Sequence, residues 1–265
     1  MSAKSLTVLI VGATGSIGRL VVGEALRQGH AARSLVRDAQ KAAGLPGDAT
    51  WIVGDVTRPE TLVAAVEGVD AVVLTLGADG AGKAGAENVD YGGVRNILAA
   101  LADRPARIAL MTAIGVTNRT GDYNRRTEAH DWKRRAERLV RASGRPYTIV
   151  RPGWFDYNEP DEQRIVMLQG DTRQAGDSSD GVIARAQIAR VLVESLTSEA
   201  ANAKSFELVA ERGAAQPDLE PLFVVLDRDD PKAIDAIRDV DNQPLDQEPQ
   251  RVRDDLTTIT HHRSA

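Results

Sequence analysis

Three glycines spaced three residues apart, Gly12, Gly15 and Gly18, lie with Thr14, Ser16 and Ile17 in the stretch LTVLIVGATGSIGRL. Glycines at this spacing expose backbone N–H groups that no side chain shields, and the chemistry that uses such groups is the holding of a phosphate anion. One glycine permits a tight turn, one lets a pyrophosphate approach the main chain, and one brings the next helix close to the strand before it. A helix opening at the third glycine adds free N–H groups and the positive end of its dipole. The stretch therefore predicts a bound dinucleotide, because the glycines stand between a strand and a helix as that role requires.

The elements that must position this loop follow from apolar periodicity. Leu6 and Val8 to Val11 form a short β-branched run, the pattern of a central parallel strand covered on both faces. An amphipathic stretch runs from Ile17 to Gln28, and Ala31 to Val36 reads as a second strand ending in Arg37-Asp38. An acid at this strand end binds a ribose 2′-hydroxyl, whereas an arginine accommodates a 2′-phosphate. Arg37 comes first, which predicts NADP in preference to NAD, with Arg33 as a helper. Thr50 to Val53 is a third strand, followed by Gly54-Asp55-Val56 and a helix that Pro59 opens and that runs to about Glu67. Asp70 to Thr75 is the fourth strand. Leu76 and Gly77 then lead into a glycine-rich loop, residues 77–85, suited to close passage over a cofactor. Val89 to Leu101 and Glu128 to Ser143 read as helices, the second with Trp132, Ala136, Leu139 and Val140 on one stripe and Gly144 and Pro146 to stop it. Arg107 to Thr112 and Tyr147 to Val150 supply the fifth and sixth strands. This alternation predicts an α/β fold, a doubly wound parallel sheet of Rossmann type, with ligands at the carboxyl ends of the strands.

Beyond Arg151-Pro152-Gly153 the rhythm changes. Trp154, Phe155 and Tyr157 cluster at the start of an expected substrate region, about 154–185, with short strands at Arg164 to Gln169 and Val182 to Ala184. Gln187 to Leu196 reads as a helix and Ser205 to Val209 as a last strand, giving a nucleotide-binding domain over residues 1–210. Residues 211–265 are rich in Pro, Asp and Arg and read as a tail, partly helical or disordered. In 265 residues with a net charge of −5 there is no basic field to draw nucleic acid or an anionic membrane. No apolar run approaches a membrane span, no signal-peptide pattern opens the chain, and there is no cysteine, so a cytoplasmic protein acting on a small molecule is expected, as monomer or homodimer. Four histidines, two of them adjacent (His261, His262), show no metal-ligand spacing, and no metal is expected.

The G-x-x-G-x-x-G form of GATGSIG resembles the short-chain dehydrogenase/reductase superfamily in its atypical, NAD(P)H-binding and NmrA-like branch. The resemblance spans residues 6 to 210 and implies that Asp55-Val56 lies against the adenine. It further implies that Asp90 stands where an asparagine is common, with Gly93 matching a glycine of the same helix. Laid on the superfamily's Tyr-x-x-x-Lys pattern, AHDWKRRAERLVRASGRPYTIVRPG puts Lys133 on the lysine that binds the nicotinamide ribose, and Ala129 on the tyrosine. The serine that polarises the substrate oxygen falls on Thr112 or Ala113. The usual proton donor is thus absent. Tyr157, beside Asp156 after the sixth strand, stands at the carboxyl edge where it could supply a proton; His130 and the charge runs Arg125-Arg126 and Lys133-Arg134-Arg135 read as surface. The branch includes flavin, biliverdin and isoflavone-type reductases and non-catalytic redox sensors. Two readings follow. One is an NADPH-dependent oxidoreductase acting on a small carbonyl, quinone or flavin-like acceptor, with Lys133, Thr112 and Tyr157 at the reacting centre. The other is an NADP(H)-sensing regulator that uses the tail. A sugar-nucleotide epimerase is disfavoured by the missing tyrosine.

Overall fold

A computed structural model describes residues 5–78 and 80–264, with side chains to residue 260; Asp79 and the side chains of His261 and His262 lie outside the described residues. In chain order the elements are β1 (Thr7–Val11), α1 (Gly18–Arg27), β2 (Ala31–Val36), β3 (Thr50–Val53), β4 (Ala71–Leu74), α2 (Gly82–Gly85), α3 (Gly92–Leu101), β5 (Arg107–Met111), α4 (Asp122–Thr127), α5 (Ala129–Ala142), β6 (Tyr147–Pro152), β7 (Trp154–Phe155), β8 (Arg164–Leu168), β9 (Val182–Ile183), α6 (Arg185–Glu194), β10 (Lys204–Glu211), α7 (Glu220–Val224) and α8 (Gln250–Ser264). The sheet runs β3-β2-β1-β4-β5-β6-β10 with every neighbour parallel, while β8 and β9 add to β10 antiparallel and β7 lies beside β9. This is the doubly wound Rossmann order.

The unbroken apolar run of β1 has a simple cause. Leu9 and Val11 face one apolar layer and Val8 and Ile10 the other, because side chains alternate across a strand and both faces are covered. The first layer packs α3 and α5 against the sheet, closed from outside by Val252 and Leu256 of α8. The second holds α1 and α6, with Phe223 of α7 against Phe206 of β10, ring centroids 6.0 Å apart.

Two segments depart from the sequence reading. The helix expected from Pro59 to Glu67 is only a 3₁₀ turn, Pro59–Thr61, followed by turns. The Thr61 hydroxyl is committed locally: it donates to the Arg58 carbonyl at 2.7 Å and accepts the Asp55 N–H at 2.9 Å. Such local bonds compete with helix propagation. Conversely, helix begins inside the expected loop at Gly82 and passes through a π-helical stretch, Ala86–Tyr91, before α3. Within that stretch Asp90 receives the Lys133 ammonium at 2.8 Å, and the Tyr91 hydroxyl donates to Asp255 of α8 at 2.7 Å. Contacts far away in sequence thus sustain a wound geometry that is rare on its own.

The arginines of α5 are a larger correction. Arg134 and Arg135, expected on a wet face, are buried, as are Arg138, Arg141 and Arg151. The segment after β10 supplies their counter-charges. Asp235 pairs with Arg138 at 2.7 Å and Arg134 at 3.1 Å, Glu248 with Arg135 at 2.6 Å and Arg138 at 2.9 Å, Asp229 with Arg141 at 3.3 Å, and Asp239 with Arg151 at 2.7 Å. The stretch from Asp229 to Glu248 is therefore held against α5 and β6 through buried guanidinium–carboxylate pairs. Burial works against the Glu137 carboxylate, but the guanidinia of Arg151 and Arg141 outweigh it and hold its pKa at about 2.

Glu207 of β10 behaves oppositely. Burial, with Asp171 and Asp239 nearby, pushes its carboxyl up to about 7 despite Arg151 at 3.3 Å. A carboxyl whose folded pKa lies above its unfolded value binds more protons when folded, so its ionisation costs stability as pH rises from the unfolded pKa to the folded one. Stability is therefore expected to fall between about pH 4.5 and 7 by on the order of 3 kcal/mol. Glu207→Gln should flatten that slope in melting curves taken across the window. An unchanged slope would assign the effect elsewhere.

Candidate functional site

A cleft of about 470 Å³ opens at the carboxyl ends of β1, β2, β3 and β4. Gly12, Thr14, Gly15, Arg37, Asp55, Val56, Leu76 and Gly77 all lie on its wall. Gly12 takes φ +90°, and a Cβ there would sit 2.7 Å from the Thr75 carbonyl oxygen. A Cβ on Gly18 would sit 2.0 Å from the Gly12 carbonyl oxygen, so this glycine sets how closely α1 approaches β1. The start of α1 has no side-chain cap and no acidic residue in its first turn among the described residues. The Arg19 N–H donates to the Gly15 carbonyl at 3.1 Å, and the dipole end of the helix carries no first-turn anion to meet it among the described residues. Ser16, Ile17 and Gly18 belong to this helix start rather than to the cleft wall; Ile17 is a buried anchor. These features fit a nicotinamide dinucleotide.

At the strand-two selector, the Asp38 carboxylate accepts the Gln40 N–H at 2.9 Å and caps the following 3₁₀ turn. Arg37 is on the cleft wall. Arg33, expected to help it, instead donates to the carbonyls of Ala65 at 3.1 Å and Glu67 at 2.5 Å, away from the cleft. Asp55 accepts the N–H and hydroxyl of Thr57 at 2.9 and 2.8 Å. Burial opposes these bonds, but they and the charges of Arg37 and Arg58 keep its carboxyl below the ordinary range.

A second cavity, about 460 Å³, lies at the ends of β5 and β6. Its floor is Ala113, Ile114 and Gly115, and its sides include Tyr123, His130, Trp154 and Phe155. Buried Asp171 pins the floor by accepting the N–H groups of Gly115 at 2.6 Å and Thr117 at 2.7 Å and the Thr117 hydroxyl at 2.8 Å. β4 and β5 are adjacent, so the two cavities neighbour each other along one edge of the sheet.

The residues expected at a reacting centre are dispersed. Lys133 is held by Asp90 beside the helical segment that bears Val89 on the cleft wall, and is not itself on that wall. Thr112 is buried, and its hydroxyl donates to Glu137 at 2.7 Å, inside the layer between sheet and α5. Tyr157 is 66% exposed and meets Trp154 edge-on, outside the cavity wall. Ala129, at the tyrosine position, is buried. His130, read from sequence as a surface residue, lines the second cavity 5.2 Å from the Tyr123 ring, and its Nδ1 is shielded from solvent with no hydrogen-bond partner among the described residues. Burial lowers its pKa, against Asp171, so the imidazole is biased toward neutral. Sequence reasoning missed Asp171 and the floor it pins. Asp171 carries no local signal, since it reaches residues more than fifty positions away.

Fold and cleft define a Rossmann protein that binds a nicotinamide cofactor and is built like the atypical short-chain reductases. Residues 12–199 match the family model described as NAD(P)H-binding, and the chain belongs to that family. It is 26% identical to sanguinarine reductase of Eschscholzia californica over 265 aligned residues, covering 84% of this chain and 96% of that one. It is 30% identical to the uncharacterized sugar epimerase YhfK of Bacillus subtilis, covering 77% of this chain and 94% of the other. Among solved structures, the oxidoreductase ylbE of Lactococcus lactis shares the fold, with a TM-score of 0.66, 17% identity and coverage of 82% and 95% of the two chains. Among the described residues no helix is long and apolar enough to cross a membrane, and no cluster of three His, Asp or Glu is arranged to hold a metal.

Proposed function

We propose that this protein is an NADPH-dependent reductase whose acceptor, a small carbonyl, quinone or flavin-like molecule, occupies the aromatic cavity beyond β5. The observation that carries this reading is the adjacency of the two cavities, one lined for a dinucleotide and one walled by Trp154, Phe155 and Tyr123. Likeness to a sanguinarine reductase over nearly the whole of that protein supports it. When bound, the cofactor supplies a hydride; the protein supplies orientation and a dry, shaped neighbourhood. The glycine loop holds the diphosphate, and Arg37 takes the 2′-phosphate because Asp38 is spent as a cap. Asp90 and Lys133 lock the helical segment that borders the cleft. With Ala129 in the tyrosine position, proton supply to the acceptor falls to His130, Tyr123 or water at the second cavity. The alternative of an NADP(H)-sensing regulator is supported by Ala129 in the tyrosine position and less by the tail, whose acids Asp235, Asp239 and Glu248 pair with buried arginines.

Purified protein mixed with NADPH and, in turn, menadione, 9,10-phenanthrenequinone, FMN and an aromatic aldehyde should consume NADPH faster than a protein-free control with at least one of them. No acceleration with any would count against the reading. Arg37→Ala should weaken NADPH by about tenfold or more, the worth of a charge-assisted phosphate contact, and leave NADH nearly unchanged. Equal losses for the two coenzymes, measured by calorimetry, would overturn the NADP assignment.

A further inference from the structure

Arg185, the first residue of α6, belongs by sequence to the acceptor-side segment, yet its side chain crosses to the glycine loop. Its Nε donates to the Ser16 hydroxyl at 3.2 Å. Its guanidinium also pairs with Asp156 and lies 5.1 Å from the ring centroid of Phe155, a wall of the second cavity. The joint is made rigid from both sides. The Arg185 N–H donates to the Asp156 carboxylate at 2.9 Å, and Asp156 itself holds a left-handed φ of +58°. A non-glycine residue pays strain for that conformation, which the surrounding bonds must sustain.

Two features of this position point to an anion. The start of α1, which Ser16 precedes, has no side-chain cap and no acid in its first turn among the described residues. Arg185 nonetheless brings a further positive charge to that place. Its Nη2 makes no hydrogen bond among the described residues, and the side chain is a third exposed. The nearby Arg19 is placed differently: its Nε donates to the Thr14 carbonyl at 3.0 Å and its guanidinium lies toward Gly44. A guanidinium has five donors, so bonds to Ser16 and Asp156 still leave it able to take a phosphate oxygen.

We propose that Arg185 is a ligand of the cofactor's diphosphate, reaching it from the acceptor-side segment and closing over the glycine loop opposite the start of α1. This rests on the reading that a nicotinamide dinucleotide occupies the cleft. It assigns the two cationic contacts to different parts of that molecule, the 2′-phosphate to Arg37 and the diphosphate to Arg185. Arg185 thereby ties cofactor occupancy to the wall of the acceptor cavity through Phe155.

The test separates the two phosphates. Calorimetric titrations of wild-type, Arg185→Met and Arg185→Lys protein would use ADP-ribose, which carries the diphosphate alone, and 2′-AMP, which carries only the 2′-phosphate. Arg185→Met should weaken ADP-ribose by about tenfold or more, the loss of one charge-assisted bond, with 2′-AMP changed less than about twofold. Arg185→Lys should fall between, since it keeps the charge without the fork. Thermal melts of the same samples show whether the variants are folded. ADP-ribose affinity equal to wild type in folded Arg185→Met overturns the assignment, as does equal weakening of both ligands, which would mean a distorted loop. If wild-type protein binds neither ADP-ribose nor NADPH, the cofactor reading itself fails first.

Discussion

A chain ending at residue 213 should not reach the folded state. The removed segment supplies Asp235 and Glu248, which hold all the carboxylate pairings of Arg134, Arg135 and Arg138 among the described residues, and Asp229 and Asp239, which share Arg141 and Arg151 with the retained Glu137. Stripping one partner from a buried pair costs about 3–5 kcal/mol, because the other charge is left desolvated and unpaired. Total stability of a domain is only about 5–15 kcal/mol, so the loss of several partners exceeds it. The apolar closure by Val252 and Leu256 goes too. The truncated chain should appear in inclusion bodies or show no cooperative melt. Glu248→Ala makes the argument graded. This carboxylate is buried and serves both Arg135 and Arg138, so its removal alone should lower the melting temperature by on the order of 10 °C. A truncated protein that is soluble and melts with the full chain would show that the arginines find water or other partners.

Gly18→Ala should weaken cofactor binding severely while the sheet survives. The added methyl carbon would sit 2.0 Å from the Gly12 carbonyl oxygen and 2.9 Å from the Ala13 Cα. Both are backbone atoms, so no side chain can rotate out of the way; α1 must lift from β1 and carry the diphosphate-binding N–H groups with it. Affinity for NADPH should drop by about a hundredfold or more, the worth of several bonds lost together. The control lies five residues along on the same helix. Gly23 has open space where its Cβ would go, so Gly23→Ala should bind NADPH as wild type and gain up to about 1 kcal/mol in stability from helix propensity. Parallel titrations decide it: if both variants bind like wild type, α1 has slack that the packing denies.

How far the site could be read depended on the distance over which its parts act. Gly12, Thr14, Gly15, Arg37, Asp55, Val56, Leu76 and Gly77 were nameable from sequence, because each sits within a few residues of a strand end whose position apolar periodicity announces. The surroundings of the residues expected at a reacting centre were not. Register placed Lys133 and Thr112, but orientation decided what they touch: Lys133 turns to Asp90 and Thr112 to Glu137. His130 followed the same logic in reverse. One position from the vacant Ala129 on α5, it reads as surface until the loop after β5 folds against it to form a cavity wall.

The sequence by itself determined the parallel sheet, the glycine turn and the class of ligand, because each is written in the spacing of neighbouring residues and needs no partner from elsewhere. Only the tertiary structure decided which charges are inside. An arginine on an amphipathic helix is a solvated residue until something covers it, and what covers Arg138 is Asp235, 97 positions further on. Burial of charge is a property of pairs, and no local pattern of one partner encodes the arrival of the other.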